Sequence, residues 1–280
     1  MSNSLVIEEK VRRFYDRASP YYLEYFGRHI HDGYYITGRE SKEQAQENLV
    51  RFLVDKAGIE PGSSVLDVGC GVGGSSVWLA ENLGAHTVGI TVSPVQIEIA
   101  RQLAREHQVD ATFLLMNAET MDFPGQFDII WVVAALTHFE NQEQFFKRAA
   151  KYLRPRGKLV IFDWTVNGEV PVPSDDRDIR TVIESMVLAG LYSRETYVQW
   201  LEADGLQIVF TQDITGQTLR TWDDAISLLK DPSVWKLAVQ VASREGKEVR
   251  GFFKGLPVMR RAMRKGKVRS SVIVAERIML

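Results

Sequence analysis

The sequence predicts an α/β fold: a doubly wound, mostly parallel sheet of seven strands with helices on both faces. Three observations predict it. Short apolar runs alternate with segments of helical periodicity from about residue 64 onward. A glycine-rich turn, Gly69-Cys70-Gly71-Val72-Gly73-Gly74, joins the first of those runs to the first of those helices. The chain has 280 residues, 45% of them hydrophobic and 25% charged, an ordinary globular balance that suits one large, elaborated domain.

The elements follow in order. Residues 5–26 read as a helix rich in Tyr and Phe, followed by a loop through His29, His31, Gly33, Tyr34 and Tyr35. Ser41 with Gln44 is a capping-box signal for a helix reaching about Lys56, and Gly58 stands just past its end. Strands are expected at Ser64–Val68, His86–Thr91, Ala111–Leu115, Phe127–Val133 and 157–163, with helices at 75–83, 93–106 and 142–153 between them. Beyond Asp163 the regularity breaks. Pro171, Pro173 and a charged run over 175–180 mark a first excursion. A helix at Arg194–Ala203 and a strand at 206–211 resume the pattern, and a second excursion precedes a last strand at Val268–Arg277. No internal repeat or low-complexity segment interrupts the chain. The expected organisation is one domain over 1–280. It comprises an N-terminal helical cap (1–58), a core (59–163), two lid insertions (164–192 and 215–266) and the remaining core (193–214 and 267–280).

Composition excludes several classes. A net charge of −2 gives no extended nucleic-acid surface. Cys70 is the single cysteine, which rules out an intramolecular disulfide and suits a reducing compartment. The first residues lack the basic and apolar regions of a signal peptide, and no apolar stretch is long enough to span a bilayer. A cytoplasmic location is the expectation.

Gly69-x-Gly71-x-x-Gly74 matches the dinucleotide fingerprint, which keeps a nicotinamide oxidoreductase in view. Asp67, two residues earlier and still within the strand, argues otherwise. A carboxylate there gains nothing from a pyrophosphate, whereas a cofactor with an α-ammonium and a sulfonium is cationic and carries no phosphate. A tight strand–helix turn with no ligand is the plain structural alternative.

At this point a resemblance enters. Val65-Leu66-Asp67-Val68-Gly69-Cys70-Gly71 resembles the first motif of class I S-adenosylmethionine-dependent methyltransferases. Gly89-Ile90-Thr91-Val92-Ser93-Pro94-Val95-Gln96 resembles the branch that contains γ-tocopherol, sterol and coclaurine N-methyltransferases and the cyclopropane fatty acid synthases. The likeness covers nearly the whole chain, including His29-x-His31-x-Gly33-Tyr34-Tyr35 and both late insertions, and is strongest toward the tocopherol-methyltransferase-like group. It implies a Rossmann-like sheet and S-adenosyl-L-methionine as cofactor. It also implies a cofactor site built from Tyr34, Asp67, Gly69, Cys70, Gly71, Thr91, Val92, Gln96, Ala118, Glu119, Val133 and Ala134. Thr91 stands where most nucleoside-binding folds of this type end the second strand with an acid. The resemblance gives the ribose to Gln96. A capping box from Ser93 to Gln96, with Pro94 at the first helical position, is the competing account. Asn117-Ala118-Glu119 is implied to flank adenine, an ordinary polar loop being the alternative, and Tyr34 and Tyr35 to meet the methionine portion.

Methyl transfer is an in-line displacement on an activated sulfonium, so the protein mainly aligns a nucleophile, excludes water and at times removes a proton. That chemistry belongs at Val133-Ala134-Ala135-Leu136-Thr137-His138. Tocopherol, sterol and cyclopropane enzymes typically carry two glutamates there; this chain has Ala134 and Thr137. The departure argues against bicarbonate-assisted cyclopropanation and against sterol-type alkene methylation. Transfer to an amine, a hydroxyl or an activated aromatic carbon survives, on a largely apolar molecule such as a prenylated phenol, terpenoid or alkaloid. His138 is the candidate base, with capping or packing beside the cofactor as its plain alternative. A cyclase on the same scaffold, binding the cofactor without transferring methyl, is the rival that the missing carboxylates keep open.

Five His, with Cys70 inside the turn, make no metal-ligand set. Trp164, Met186, Leu188, Leu191, Tyr192, Trp222, Trp235, Phe252, Phe253, Leu256 and Met259 supply apolar material for a lid or for plain core. Arg260, Arg261, Arg264, Lys265, Lys267 and Arg269 form a basic run: a solvated helix face, a weak membrane contact, or a grip on an anionic substrate group. The expected partner is a small molecule, with no nucleic acid.

Overall fold

A computed structural model describes residues 3–168, 174–228, 230 and 247–278. The chain opens with helices α1 (Asn3–Phe26) and α2 (Lys42–Ala57). It then alternates through β1 (Ser64–Val68), α3 (Gly74–Leu83), β2 (His86–Thr91), α4 (Pro94–His107), β3 (Ala111–Leu115) and β4 (Phe127–Val133). A 3-10 turn at Leu136–His138 leads to α5 (Gln142–Tyr152), β5 (Leu153–Val166), α6 (Arg177–Ser185), α7 (Arg194–Ala203) and β6 (Leu206–Asp213). Helices α8 (Thr215–Thr218), α9 (Arg220–Leu228) and α10 (Lys247–Arg264) precede β7 (Val268–Arg277).

The strands form one sheet in the order β3-β2-β1-β4-β5-β7-β6. Strands β1 to β5 pair in parallel, while β7 runs antiparallel to both β5 and β6. Side-chain alternation sorts each apolar run between two helical layers. Leu66, Ile130, Val132, Leu159 and Ile161 pack with Phe145, Phe146, Tyr197 and Leu201 of α5 and α7. Their neighbours Val65, Ile129, Trp131, Val160 and Phe162 pack with Leu49, Leu53, Trp78 and Leu79 of α2 and α3. Because β1 lies between β2 and β4, the connections diverge at its carboxyl end and open a crevice there, where ligands of such sheets bind.

The local signals operate as expected in α2: Ser41 and Gln44 form the reciprocal capping box, and Gly58 closes the helix in the left-handed region. β5 is longer than the apolar stretch alone suggests. It begins at Leu153, passes a register shift against β4, and continues to Val166 because β7 pairs along it as far as Val166↔Val268.

The two excursions pack on each other. Ile179, Val182 and Ile183 of α6 meet Trp222 and Ala225 of α9 and Leu256, Met259 and Met263 of α10 in one cluster. Leu188, Leu191 and Met259 are core of this cluster, and Phe253 packs against it. Tyr192 instead joins the main sheet core, stacking edge-on to Trp200. Trp235, Pro171 and Pro173 lie outside the described residues. α1 closes over the crevice through Val11, Phe14 and Ala18, against Val187 and Phe252.

Candidate active site

The glycine turn is held against β2, with the N–H groups of Gly69 and Cys70 both donating to the Ile90 carbonyl at 2.9 and 3.0 Å. Two of its glycines are required by close approach. A Cβ on Gly69, whose φ is +73°, would lie 2.4 Å from the Ala135 Cβ, and one on Gly74 would lie 2.0 Å from the Arg28 carbonyl oxygen. The turn therefore touches the loop after β4 on one side and the loop after α1 on the other. Together they wall a cavity.

Asp67, Gly69, Cys70, Gly71, Thr91, Val92, Gln96, Ala118, Glu119, Val133, Ala134 and His138 all line that cavity. Asp67 is 3% exposed, and its carboxylate accepts a 2.6 Å hydrogen bond from the Ser76 hydroxyl. Burial pushes its pKa up to about 7, opposed only by hydrogen bonds from Ser76. A buried carboxylate without a cation of its own suits a cationic ligand and would repel a pyrophosphate.

Thr91 donates its hydroxyl to Gln96 Oε1 at 2.6 Å, and the Gln96 backbone N–H donates to Ser93 Oγ at 3.1 Å. The Ser93 N–H goes to Thr91 Oγ1 at 3.3 Å and not back to the glutamine, so half of the capping box forms. Gln96 keeps its amide nitrogen on the cavity side, 3.9 Å from where a Gly71 Cβ would stand. Glu119 has a second occupation: its carboxylate accepts from the N–H groups of Asn141 at 2.7 Å and Glu140 at 3.3 Å, at the start of α5. Its own N–H donates to Asn117 Oδ1 at 2.6 Å.

His138 stands between this cavity and a second, apolar one; Tyr15, His29, Ile30, His31 and Ala134 also border both. Its Nδ1 lies 3.0 Å from the Val187 carbonyl, which can only accept, so Nδ1 carries the proton and Nε2 the lone pair. Nε2 lies 2.9 Å from the Tyr15 hydroxyl. Burial lowers the imidazole pKa and keeps the ring neutral at pH 7. Ala134 itself sits at φ +54°, a left-handed backbone for a residue with a Cβ. Thr137 points the other way, donating its hydroxyl to Asp163 at 3.0 Å.

Tyr34 requires a correction. Its ring stacks on Phe52 of α2 at 4.6 Å, within the core beneath the sheet, and it does not line the first cavity. Tyr35 is also elsewhere, with its hydroxyl donating to Asp224 at 2.8 Å. Gly33 lies against Ala45 of α2 with its N–H taken by Thr221, and the N–H groups of Tyr34 and Tyr35 bond to the Ala45 and Gln217 carbonyls at 2.7 and 3.0 Å, which holds both tyrosines away from that cavity.

Tyr15, Glu8 and Asp16 of α1 went unread in the sequence, where their helix is simply rich in Tyr and Phe. Glu8 accepts from Asn117 at 2.8 Å and Asp16 from Ser93 at 2.6 Å, which fastens α1 across the cavity. The buried Asp32 and Asp163 were also missed.

The basic run is not a free surface patch. Arg261 pairs with Asp178 at 2.6 Å, Lys267 with Asp176 at 2.7 Å and Arg269 with Asp213 at 2.6 Å. Arg260 and Arg264 both pair with Asp223, and Lys265 reaches Asp178. These cations tie α10 and β7 to α6, α9 and β6. Among the described residues, no group of three or more His, Cys, Asp or Glu could hold a metal ion. None of the described helices is long and apolar enough to cross a membrane.

The comparisons give the class. A family model described as mycolic acid cyclopropane synthetase matches residues 6–245, and the chain belongs to that family. It is an S-adenosylmethionine-dependent methyltransferase, which sets aside the nicotinamide reading. The chain is 33% identical over 246 residues to the 2-methyl-6-phytyl-1,4-hydroquinone methyltransferase of Synechocystis sp. (strain ATCC 27184 / PCC 6803 / Kazusa), covering 84% of this chain and 74% of that protein. It is 25% identical over 291 residues to the chloroplastic tocopherol O-methyltransferase of Arabidopsis thaliana, covering 97% and 82%. Among solved structures, the cyclase SpnF superposes with a TM-score of 0.83 at 22% identity, over 98% of this chain and 97% of that one. That last likeness is one of fold.

Proposed function

We propose that this chain transfers methyl from S-adenosylmethionine to a small, largely apolar acceptor seated in the second cavity. The observation that carries the reading is the shared wall. Ala134, His138 and Tyr15 separate a cavity with a buried carboxylate, Asp67, that no cation among the described residues neutralises from one lined by Phe14, Tyr22, Phe26, Trp164, Trp222 and Phe252.

When bound, the cofactor supplies an activated methyl group. In this reading Asp67 faces its positive charge, the Gln96 amide nitrogen donates to the ribose, and Ala118 and Glu119 border the adenine. His138 does the proton work. Its Nε2 lone pair accepts the proton of an acceptor hydroxyl or amine, directly or across the Tyr15 hydroxyl 2.9 Å away. The Nδ1–H bond to Val187 holds the ring in the tautomer that allows this. Alanine at 134 leaves the junction between the cavities free of charge, which supports simple methyl transfer over chemistry that needs a carboxylate cage. α1 and the two packed insertions serve as a lid that excludes water. A cytoplasmic site of action belongs to the same reading, supported by a lone, buried Cys70.

The test is a panel of phenols, alcohols and amines on apolar bodies, incubated with methyl-labelled S-adenosylmethionine. The expected result is labelled product matched by S-adenosylhomocysteine. Tight binding of the cofactor with no product from any acceptor would turn the choice to the cyclase-like alternative.

A further inference from the structure

The second cavity is apolar over most of its surface, yet one part of its wall holds buried polar atoms that no partner within the described residues satisfies. They are both ring nitrogens of His29, Nε2 of His31, Oε1 of Gln46 and Nε1 of Trp222. His29, Gln46 and Trp222 are only 3%, 3% and 5% exposed. Native proteins rarely leave so many buried polar atoms unpaired among the lining residues of one cavity, of which His29 and His31 border the first cavity as well, because each forfeits the hydrogen bond it makes in water.

The charged groups of the same cavity are already engaged. Asp32 accepts from Trp164 Nε1 at 3.0 Å. Lys42 donates to the Tyr25 carbonyl and lies 5.2 Å from the Phe26 ring centre. What remains is neutral and of mixed polarity. His31 donates through Nδ1 to the Asp32 carbonyl at 2.9 Å, so its Nε2 can only accept. Gln46 spends its amide nitrogen on the His29 and His31 carbonyls, at 2.6 and 3.2 Å, leaving an oxygen that can only accept. Trp222 Nε1 can only donate. His29, whose rings lie 5.0 Å from those of His31, offers one of each.

We infer that His29, His31, Gln46 and Trp222 form the recognition site for an uncharged hydroxyl group on the acceptor, and that the enzyme selects neutral phenols and alcohols over amines and anions. A hydroxyl donates once and accepts twice, which pairs both orphan donors and one of the three orphan acceptors. An ammonium would leave the Trp222 N–H unsatisfied and facing positive charge. A carboxylate or phosphate would turn lone pairs toward His31 Nε2 and Gln46 Oε1. The inference rests on the proposed function, since it takes the second cavity as the acceptor site.

Four probes with one tail test it by calorimetry on the full chain saturated with S-adenosylhomocysteine: 4-butylphenol, 4-butylbenzylamine, 4-butylbenzoate and butylbenzene. The phenol should bind at least about tenfold more tightly than each of the others. Trp222→Phe and His31→Leu should each weaken the phenol about tenfold while changing butylbenzene less than about twofold. If one variant does not fold, the other carries the comparison. The inference is overturned if butylbenzene, the amine or the benzoate binds as tightly as the phenol. It is equally overturned if the phenol fails to bind, or if a variant weakens butylbenzene as much as the phenol. S-adenosylhomocysteine binding, measured first for each protein, reads the cofactor site separately. Its failure in the unmodified chain counts against the proposed function, whereas normal cofactor binding without head-group selectivity counts against the hydroxyl site alone.

Discussion

Asp67 is a carboxylate that folding buries with Ser76 as its hydrogen-bond partner and with no cation beside it among the described residues, and a cationic ligand is what it is proposed to wait for. With its pKa raised to about 7 by burial, it is half protonated near neutrality. S-adenosylmethionine should therefore bind more tightly as pH rises through about 7, because the ionised form attracts the cation. Asp67→Asn should flatten that dependence and weaken binding by at least about tenfold, read by calorimetry between pH 6 and 8. Ala134 makes the opposite point, a strained residue with no charge. At φ +54° an alanine pays for its Cβ, so Ala134→Gly should raise stability by about 0.5–1 kcal/mol in urea unfolding. His138→Gln should cut turnover by about 10²-fold or more with cofactor affinity unchanged. Equal turnover would remove it as the base.

Helix α1 walls both cavities, through Glu8, Val11 and Tyr15 in the first and Phe14, Tyr15, Tyr22 and Phe26 in the second, and long-range side-chain bonds hold it there. Its bonds to Ser93, Asn117 and His138 span 77, 109 and 123 residues of sequence. Asp16→Ala with Glu8→Ala should leave the sheet core intact and speed amide exchange in α1, measured by deuterium uptake, with faster cofactor release. The failure of that prediction would be unchanged exchange throughout α1. The α10–β7 cations give an element-scale test as well. Since Asp176, Asp178, Asp213 and Asp223 already pair with them, the unmodified chain should show little salt-sensitive pelleting with anionic vesicles, and D178A with D223A should increase it.

Across the whole molecule, burial moves two sets of groups in opposite directions. Asp32, Asp67 and Asp163 are raised to about 7, 7 and 6, while His29, His31 and His138 are lowered. A raised carboxylate contributes stability that is present below its unfolded pKa near 4 and is lost as pH climbs through the folded value. A lowered histidine contributes stability present above about 6.5 and lost as pH falls. The two slopes oppose each other between about pH 4 and 7, so removing one member exposes the other. Asp32→Asn should gain melting temperature relative to the parent as pH rises from 5 to 8, levelling above about 7. A constant difference across that range would show that Asp32 is not protonated in the folded chain.

Much of this was written locally. The capping box at Ser41, the glycine turn and the alternating Val and Ile runs act within a few residues, so α1 to α5, α7, five parallel strands and the Asp67–Gly71 corner were legible directly, whereas the helices of the two excursions, α6 and α8 to α10, were not. The twelve residues from Asp67 to His138 that share the first cavity were legible too, because strand ends and the turns after them converge in any sheet of this order. Tyr34 was misplaced since a motif fixes neighbours along the chain, and the packing of this segment on Ala45 of α2 decides which of them face inward. An apolar strand carries no direction, so only pairing partners set β7 antiparallel between β5 and β6. The fastening of α1, the ion pairs of the basic run and the unpaired atoms of the second cavity all depend on residues distant in sequence. The sequence by itself determined the class of cofactor site, through charge and backbone freedom at one corner. Tertiary structure alone decided which polar atoms of the second cavity's lining residues are left unpaired, because hydrogen-bond satisfaction is a property of the assembled surface.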